Sequence, residues 1–202
     1  MFARESSGHD YYHTYRVYCL AKKIAVIEKA DTHIVELAAL LHDIADWKFH
    51  DGDLTAGPKK AREILTEENL SEEIIQRIAA IVEKVSYKGA GVEDQMSCLE
   101  GKIVQDSDRL DAIGAIGIAR TFAYGGSRGR SIYKPDEKPF FHSNFEEYKK
   151  SEGHTVNHFY EKLLLLKDRM HTETARKIAE KRHAFMQRFL EQFLAEWDQK
   201  DF

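Results

Sequence analysis

Apolar residues recur at spacings of three and four along most of the chain, and no stretch sustains the alternation of a strand, so the pattern predicts helices and no sheet. In the first helix Val17, Leu20, Ile24 and Ile27 form a stripe that extends back through His13, which predicts a helix over about residues 10–29. Asp31 is placed to cap a second, whose apolar positions Ile34, Val35, Ala38, Leu41 and Ala45 hold the period to an expected end near Trp47. "GPKKAREIL" opens a third with Pro58 in the first turn, where a missing amide hydrogen costs nothing. "SEEIIQRIAAIVEKV" opens a fourth with Ser71 as cap and an acidic first turn, and Ile74, Ile75, Ile78 and Ile81 or Val82 form its inner face. Residues 98–123 read as one long helix, with Gly114 and Gly117 permitting close approach of a neighbour. Between 125 and 144, glycines, Pro135, Pro139 and the loss of any period predict a long loop. Two helices over about 155–169 and 172–198 close an all-α chain.

Composition bounds this picture without changing it. At 202 residues and 43% hydrophobic, the chain suits a single domain over residues 1–202, with a core of about 10–124 on which the loop and C-terminal helices 125–202 pack. A net charge of −4 carries no basic excess of the kind that neutralises a nucleic-acid polymer. No signal-like segment or membrane-length apolar run occurs, so a cytoplasmic protein without a membrane partner is expected. Cys19 and Cys98 stand far apart and outside any CxxC, and read as reduced, buried thiols.

Candidate chemistry begins with three His-Asp pairs, at His9-Asp10, His42-Asp43 and His50-Asp51. The first precedes a helix and the third lies in a glycine-containing turn, so both read as solvated or capping residues. His42-Asp43 follows "ELAALL" without polar interruption, and ionisable groups on a largely buried helix need a partner or a metal to offset desolvation. Asp108 poses the same question, because Val104, Asp108, Asp111 or Ala112, Ala115 and Ile118 share one stripe. His13 stands in line with the apolar stripe of the first helix. A lone histidine on such a face is more often a hydrogen-bonded core residue, but His13, His42-Asp43 and Asp108 come from separate helices. Together they offer a mixed nitrogen and oxygen shell suited to Mn²⁺, Fe²⁺, Mg²⁺ or Zn²⁺, with coordination positions left for water or substrate.

The ordered set His13, His42-Asp43 and Asp108 resembles the HD superfamily of metal-dependent phosphohydrolases, as do the stretches "HTYRV", "LLHDIAD" and "DSDRLDAIGAIGIAR". The tail "VNHFYEKLLLLKDRM" is similar to a bacterial subgroup that acts on nucleotides, and the resemblance covers the whole chain. It implies an HD-domain helical bundle with His13, His42, Asp43 and Asp108 as metal ligands, and hydrolysis of phosphomonoesters, phosphodiesters or nucleoside triphosphates. Dinuclear relatives carry extra histidines between the HD pair and the last aspartate. Only His50 stands there in this chain, so one divalent ion is expected, Mn²⁺ ahead of Mg²⁺, Fe²⁺ or Zn²⁺.

Around these ligands, Asp46 shares the expected helical face of His42 and Asp43 and is the candidate general base, against the reading of a backbone-bonded aspartate at a helix end. Arg16, one turn after His13, is the candidate phosphate contact, whereas Arg109 points about 100° away from Asp108 and suits packing or an ion pair. Lys48 lies beside His50, just beyond the HD helix. Arg128 and Arg130 of the loop, and the pair His158 and Lys162, complete the candidate substrate-binding set. The stripe Phe185, Phe189, Phe193 and Trp197 suits a core or a subunit interface, and so a homo-oligomer, better than a base-stacking platform. The expected substrate is a phosphorylated small molecule, a nucleotide first, attacked at phosphorus by a metal-activated water. Pyrophosphate release from a triphosphate stands ahead of monophosphate removal; the alternatives are a non-catalytic metal- and nucleotide-binding regulatory module and a cyclic-nucleotide phosphodiesterase.

Overall fold

The computed structural model describes residues 10–45, 53, 55–86, 94–140 and 153–202, and every regular element among them is helical. In chain order these are α1 (Tyr11–Glu28), α2 (Thr32–Leu41), α3 (Ala56–Glu67), α4 (Glu72–Val85), α5 (Leu99–Asp111), α6 (Gly114–Ser127), α7 (Asn157–Glu161), a 3₁₀ helix (Leu163–Arg169) and α8 (Glu173–Trp197). None of the described helices is long and apolar enough to cross a membrane. The residues fall into two compact units, one of described residues up to Asp108 and the other of those from Arg109 onward.

In the first unit α1 packs on α2, α2 on α4 and α3 on α4. Val17 and Ile24 of α1, Ile34, Val35 and Ala38 of α2, and Ile75, Ile78 and Ile81 of α4 are buried, as their spacing predicts, whereas Leu20 and Ile74 are half-buried and Ile27 is 62% exposed, with Ala21 buried on the inner face of α1 instead. The helix starts have local causes. Asp10 is extended and accepts from the His13 amide at 2.8 Å through its side chain, and Asp31 accepts from the amides of His33 and Ile34. Helix α1 stops at Lys29, which adopts φ 59° and returns its amide to the Ala25 carbonyl. Ser71 precedes α4 in extended conformation, but its hydroxyl makes no cap bond; the acidic Glu72 and Glu73 supply the favourable charge there.

Several boundaries differ from those the periodicity predicts. Helix α2 ends at Leu41 rather than near Trp47, and His42 to Ala45 form turns that begin with the Ile44 amide donating to the Leu41 carbonyl. The long helix over 98–123 is two helices. The last turn of α5 tightens through Ala112 and Ile113 amides donating to the Arg109 and Leu110 carbonyls, both at 3.2 Å. Ile113 is then extended and Gly114 turns with φ +77°, a conformation open to glycine and strained for other residues. Gly117 serves this same corner, because a Cβ there would lie 2.2 Å from the Ala112 carbonyl oxygen. Gly117→Ala is therefore expected to lower stability by about 1–3 kcal/mol, the usual cost of overpacking against atoms that cannot move aside. Urea denaturation followed by circular dichroism measures it, and a wild-type midpoint would contradict this account of the corner.

In the second unit α6 packs on α8, and the 3₁₀ helix packs on both α7 and α8. Phe159, Leu163, Leu166, Ala175, Ala179, Met186 and Leu190 are buried there. The expected helix over 155–169 is in fact short α7 followed by the 3₁₀ segment. Gly125 and Gly126, expected in the loop, belong to α6, and the loop starts at Arg128. Its described part is held at several points: Ser131 and Ile132 carbonyls accept from the Thr155 and Val156 amides, and the Tyr133 ring meets Trp197 edge-on at 5.0 Å. Residues 141–144 of that loop lie outside the described residues. Of the aromatic stripe, Phe189 and Phe193 pack with Phe122, whereas Phe185 and Trp197 are exposed. Both cysteines are free thiols, but Cys19 is only half-buried and Cys98 is exposed, since it lies just ahead of α5 rather than within a helix face.

Candidate metal centre

The capped first turn of α1, the turn after α2 and Asp108 of α5 all belong to the first unit, and they bring four side chains together. His13 is fully buried, and its Nε2 lies 3.3 Å from His42 Nε2. The rings meet edge to face with centroids 5.3 Å apart. Asp43 Oδ2 is 3.3 Å from His13 Nε2 and 3.6 Å from His42 Nε2. Asp108 Oδ1 is 3.4 Å and 3.9 Å from the same two nitrogens. One donor atom each from His13, His42 and Asp108 lies within 4.8 Å of the others, close enough to share a metal ion.

The turn after α2 fixes how His42 enters this cluster. Its Nδ1 donates to the Ala39 carbonyl at 2.7 Å in a buried hydrogen bond. That bond selects the tautomer and leaves the Nε2 lone pair directed at the other donors, the usual device for orienting a metal-binding imidazole. Ala39 lies in the last turn of α2, where carbonyls lose their partners along the helix, so the early end of α2 is what frees it. Burial pushes the Asp108 carboxyl up, but its hydrogen bond with His13 and the imidazoles of His42 and His13 outweigh burial and the opposing Asp43 charge. The group is held well below the usual carboxylate range and stays ionised at neutral pH. Two imidazole nitrogens and two carboxylates facing one another at these distances are a donor set that suits a divalent cation.

Helix α5 is itself anchored by a residue that spacing arguments pass over. Gln105, buried beside Val104, donates through Nε2 to the Lys84 carbonyl at 3.2 Å and lies 3.4 Å from that of Val85. It thus ties α5 to the unpartnered end of α4.

The other candidates are placed as follows. Arg16 is half-buried on α1, one turn after His13. Asp46, Lys48 and His50 lie outside the described residues, and α2 ends at Leu41, so His42 and Asp43 stand past the helix rather than on a helical face that Asp46 was expected to share. Arg109 is buried, donates to the Arg169 carbonyl and lies 3.1 Å from His171 Nε2. Arg128 and Arg130 belong to the second unit, where both guanidinium groups stand over the Tyr124 ring, at 5.5 Å and 5.8 Å. His158 and Lys162 are also in the second unit, half-buried, with the Lys162 amide donating to the His158 carbonyl.

An all-helical fold with two buried histidines facing two half-buried aspartates defines a class, and comparison with known proteins agrees with it. The HD domain family matches residues 10–113, and the chain belongs to that family. A crystal structure of a Lactobacillus plantarum protein is 40% identical, superposes with a TM-score of 0.85 and is similar over 98% of this chain and 91% of its own. Bacillus subtilis YpgQ in complex with ADP is 39% identical with a TM-score of 0.74, over 95% of this chain and 91% of YpgQ. An HD-superfamily hydrolase of Bacillus thuringiensis is 43% identical with a TM-score of 0.72, over 94% of this chain and 87% of that one.

Proposed function

We propose that this HD-type metal-dependent phosphohydrolase acts on nucleotides, with His13, His42, Asp43 and Asp108 holding one divalent cation, Mn²⁺ ahead of Mg²⁺, Fe²⁺ or Zn²⁺. The observation that carries the reading is the convergence of both Nε2 atoms on the Asp43 and Asp108 carboxylates, with Ala39 holding His42 in the ligating tautomer. The ADP bound to YpgQ supports a nucleotide as substrate. Bound in this cluster, the cation supplies Lewis-acid polarisation of a phosphoryl oxygen and activation of water.

The chain's own residues divide the remaining work. Asp43 and Asp108 bring two negative charges to offset the cation, and the buried imidazoles exclude solvent from one side of it. Asp46 accepts the proton of the attacking water. Arg16 binds and orients the phosphate, and Lys48, Arg128, Arg130, His158 and Lys162 are the further substrate contacts. Release of pyrophosphate from a nucleoside triphosphate is preferred to monophosphate removal because this set supplies more cations than one phosphate needs. In that reaction the water oxygen bonds to the α-phosphorus as the bridging oxygen leaves with pyrophosphate. The setting is the cytoplasm, and the partner is a small phosphorylated molecule rather than a polymer.

The test is a panel of nucleoside triphosphates, diphosphates, monophosphates and cyclic nucleotides, each with Mn²⁺, Mg²⁺, Fe²⁺ or Zn²⁺, read by product chromatography. Pyrophosphate and a monophosphate are the expected products, with Mn²⁺ most active. Inorganic phosphate from monophosphates would replace the preferred reaction, and ring opening of cyclic nucleotides would make the protein a phosphodiesterase. Tight nucleotide binding without turnover under any metal would sink the enzyme reading in favour of a regulatory module.

A further inference from the structure

Helix α5 carries Asp108 in its last turn, and that turn ends against guanidinium groups from later in the chain. Arg182 of α8 donates through Nη1 to the Leu110 carbonyl. Its aliphatic stem lies over Gly114, where a Cβ would come within 2.9 Å of Arg182 Cγ. Arg120 of α6 donates to Asp111 Oδ2 at 2.8 Å and reaches the Asp111 carbonyl at 3.4 Å. Arg109 fastens the same turn outward through its bond to the Arg169 carbonyl.

A helix end that is buried must find partners for its last carbonyls, and these side chains supply them. Stability alone is a weak reason for the choice. Asp111 is only 4% exposed, and burial pulls the Arg182 guanidinium below its usual range with Asp111 opposing. Desolvated ionic groups of this kind are often replaced by apolar ones at no net loss of stability. What a guanidinium on a carbonyl provides, and an apolar side chain does not, is a directional tether on a turn that otherwise frays. A ligating carboxylate requires its backbone to be held within about 0.5 Å, and Asp108 lies two residues before the carbonyl that Arg182 grips.

We infer that Arg182, seconded by Arg120, is a positioning residue: the two guanidinium groups clamp the last turn of α5 so that Asp108 meets His13 and His42 in fixed geometry. The inference rests on the reading of the cluster as a cation site. Its test is titration of the full chain with Mn²⁺ alone, followed by the loss of the free-ion paramagnetic resonance signal, for the unaltered chain and for Arg182→Met, Arg182→Lys, Arg120→Met and Leu190→Ala. Loss of an outer partner of a metal ligand typically weakens affinity about 10–100-fold, so Arg182→Met should bind Mn²⁺ at least about tenfold more weakly. Arg182→Lys should fall between it and the unaltered chain, because an ammonium still reaches the carbonyl. Leu190→Ala removes buried volume about two turns further along α8 and should lower the melting temperature while leaving Mn²⁺ affinity unchanged.

Unchanged affinity in Arg182→Met, or a loss in Leu190→Ala as large as that in Arg182→Met, overturns the clamp. Should Arg182→Met fail to fold, Arg182→Lys and Arg120→Met decide, since wild-type affinity in both of them overturns it equally. If the unaltered chain takes up no Mn²⁺, the reading of the cluster itself fails and the clamp with it. Uptake by the unaltered chain with no change in the variants refutes only the clamp.

Discussion

Replacing Asp108 with alanine is expected to leave a helical protein that retains no divalent cation and loses activity by at least about 10³-fold, or ~4 kcal/mol of transition-state stabilisation. The carboxylate is one of two facing the imidazole pair, and its loss leaves His13 Nε2 and His42 Nε2 3.3 Å apart with Asp43 as the remaining charge. The side chain is 27% exposed and belongs to no packed apolar layer, so the helices are kept and only the cation's own contribution to stability is lost with it. Asp43→Ala should behave in the same way. Elemental analysis of the purified variants, alongside turnover and far-ultraviolet circular dichroism, checks all of this. Metal retained at wild-type content by both variants would place the site elsewhere.

The largest expected loss of stability comes from Phe159→Ala, at about 3–5 kcal/mol. Phe159 is fully buried in α7, with the Phe122 and Phe189 rings each centred 6.0 Å away. A five-residue helix cannot hold itself by backbone bonds alone, so its place depends on this side chain. The cavity would lie beside the Phe122 and Phe189 rings. Chemical denaturation is the measurement, and a change under about 1 kcal/mol would show that the aromatic cluster is not what organises the second unit.

Much of the cluster was legible in the residues because His13, His42 and Asp108 each stand on or directly after an apolar stripe where no solvent-facing role explains them. His13 and Asp108 stand in line with Val17 and Val104, and His42 follows an uninterrupted apolar run. Periodicity reports which face of a helix is buried, however, and says little about where the helix stops. The apolar spacing continues through Ala45 although α2 ends at Leu41, and through Ile118 although the chain breaks at Ile113. In the second case the switch is a single positive φ at Gly114, which leaves no trace in a pattern of apolar positions. Nor does spacing separate the short α7 from the 3₁₀ helix, since consecutive leucines suit either geometry. The grip of Arg120 and Arg182 on α5 has no signature in local spacing, because one guanidinium reaches back nine residues across a helix break and the other 72 residues along the chain.

All four donors of the cluster sit at helix ends: His13 in the first turn of α1, His42 and Asp43 just past α2, and Asp108 in the last turn of α5. These three stretches of chain meet only in the folded unit, so a cation held among them has no equivalent site in the unfolded chain. Its binding energy is thereby added to the stability of the fold, by about 4 kcal/mol when the free ion stands a thousandfold above its dissociation constant. The same ion that activates water would rivet together the helix ends most prone to fray, so chelation would loosen the fold as well as silence the chemistry.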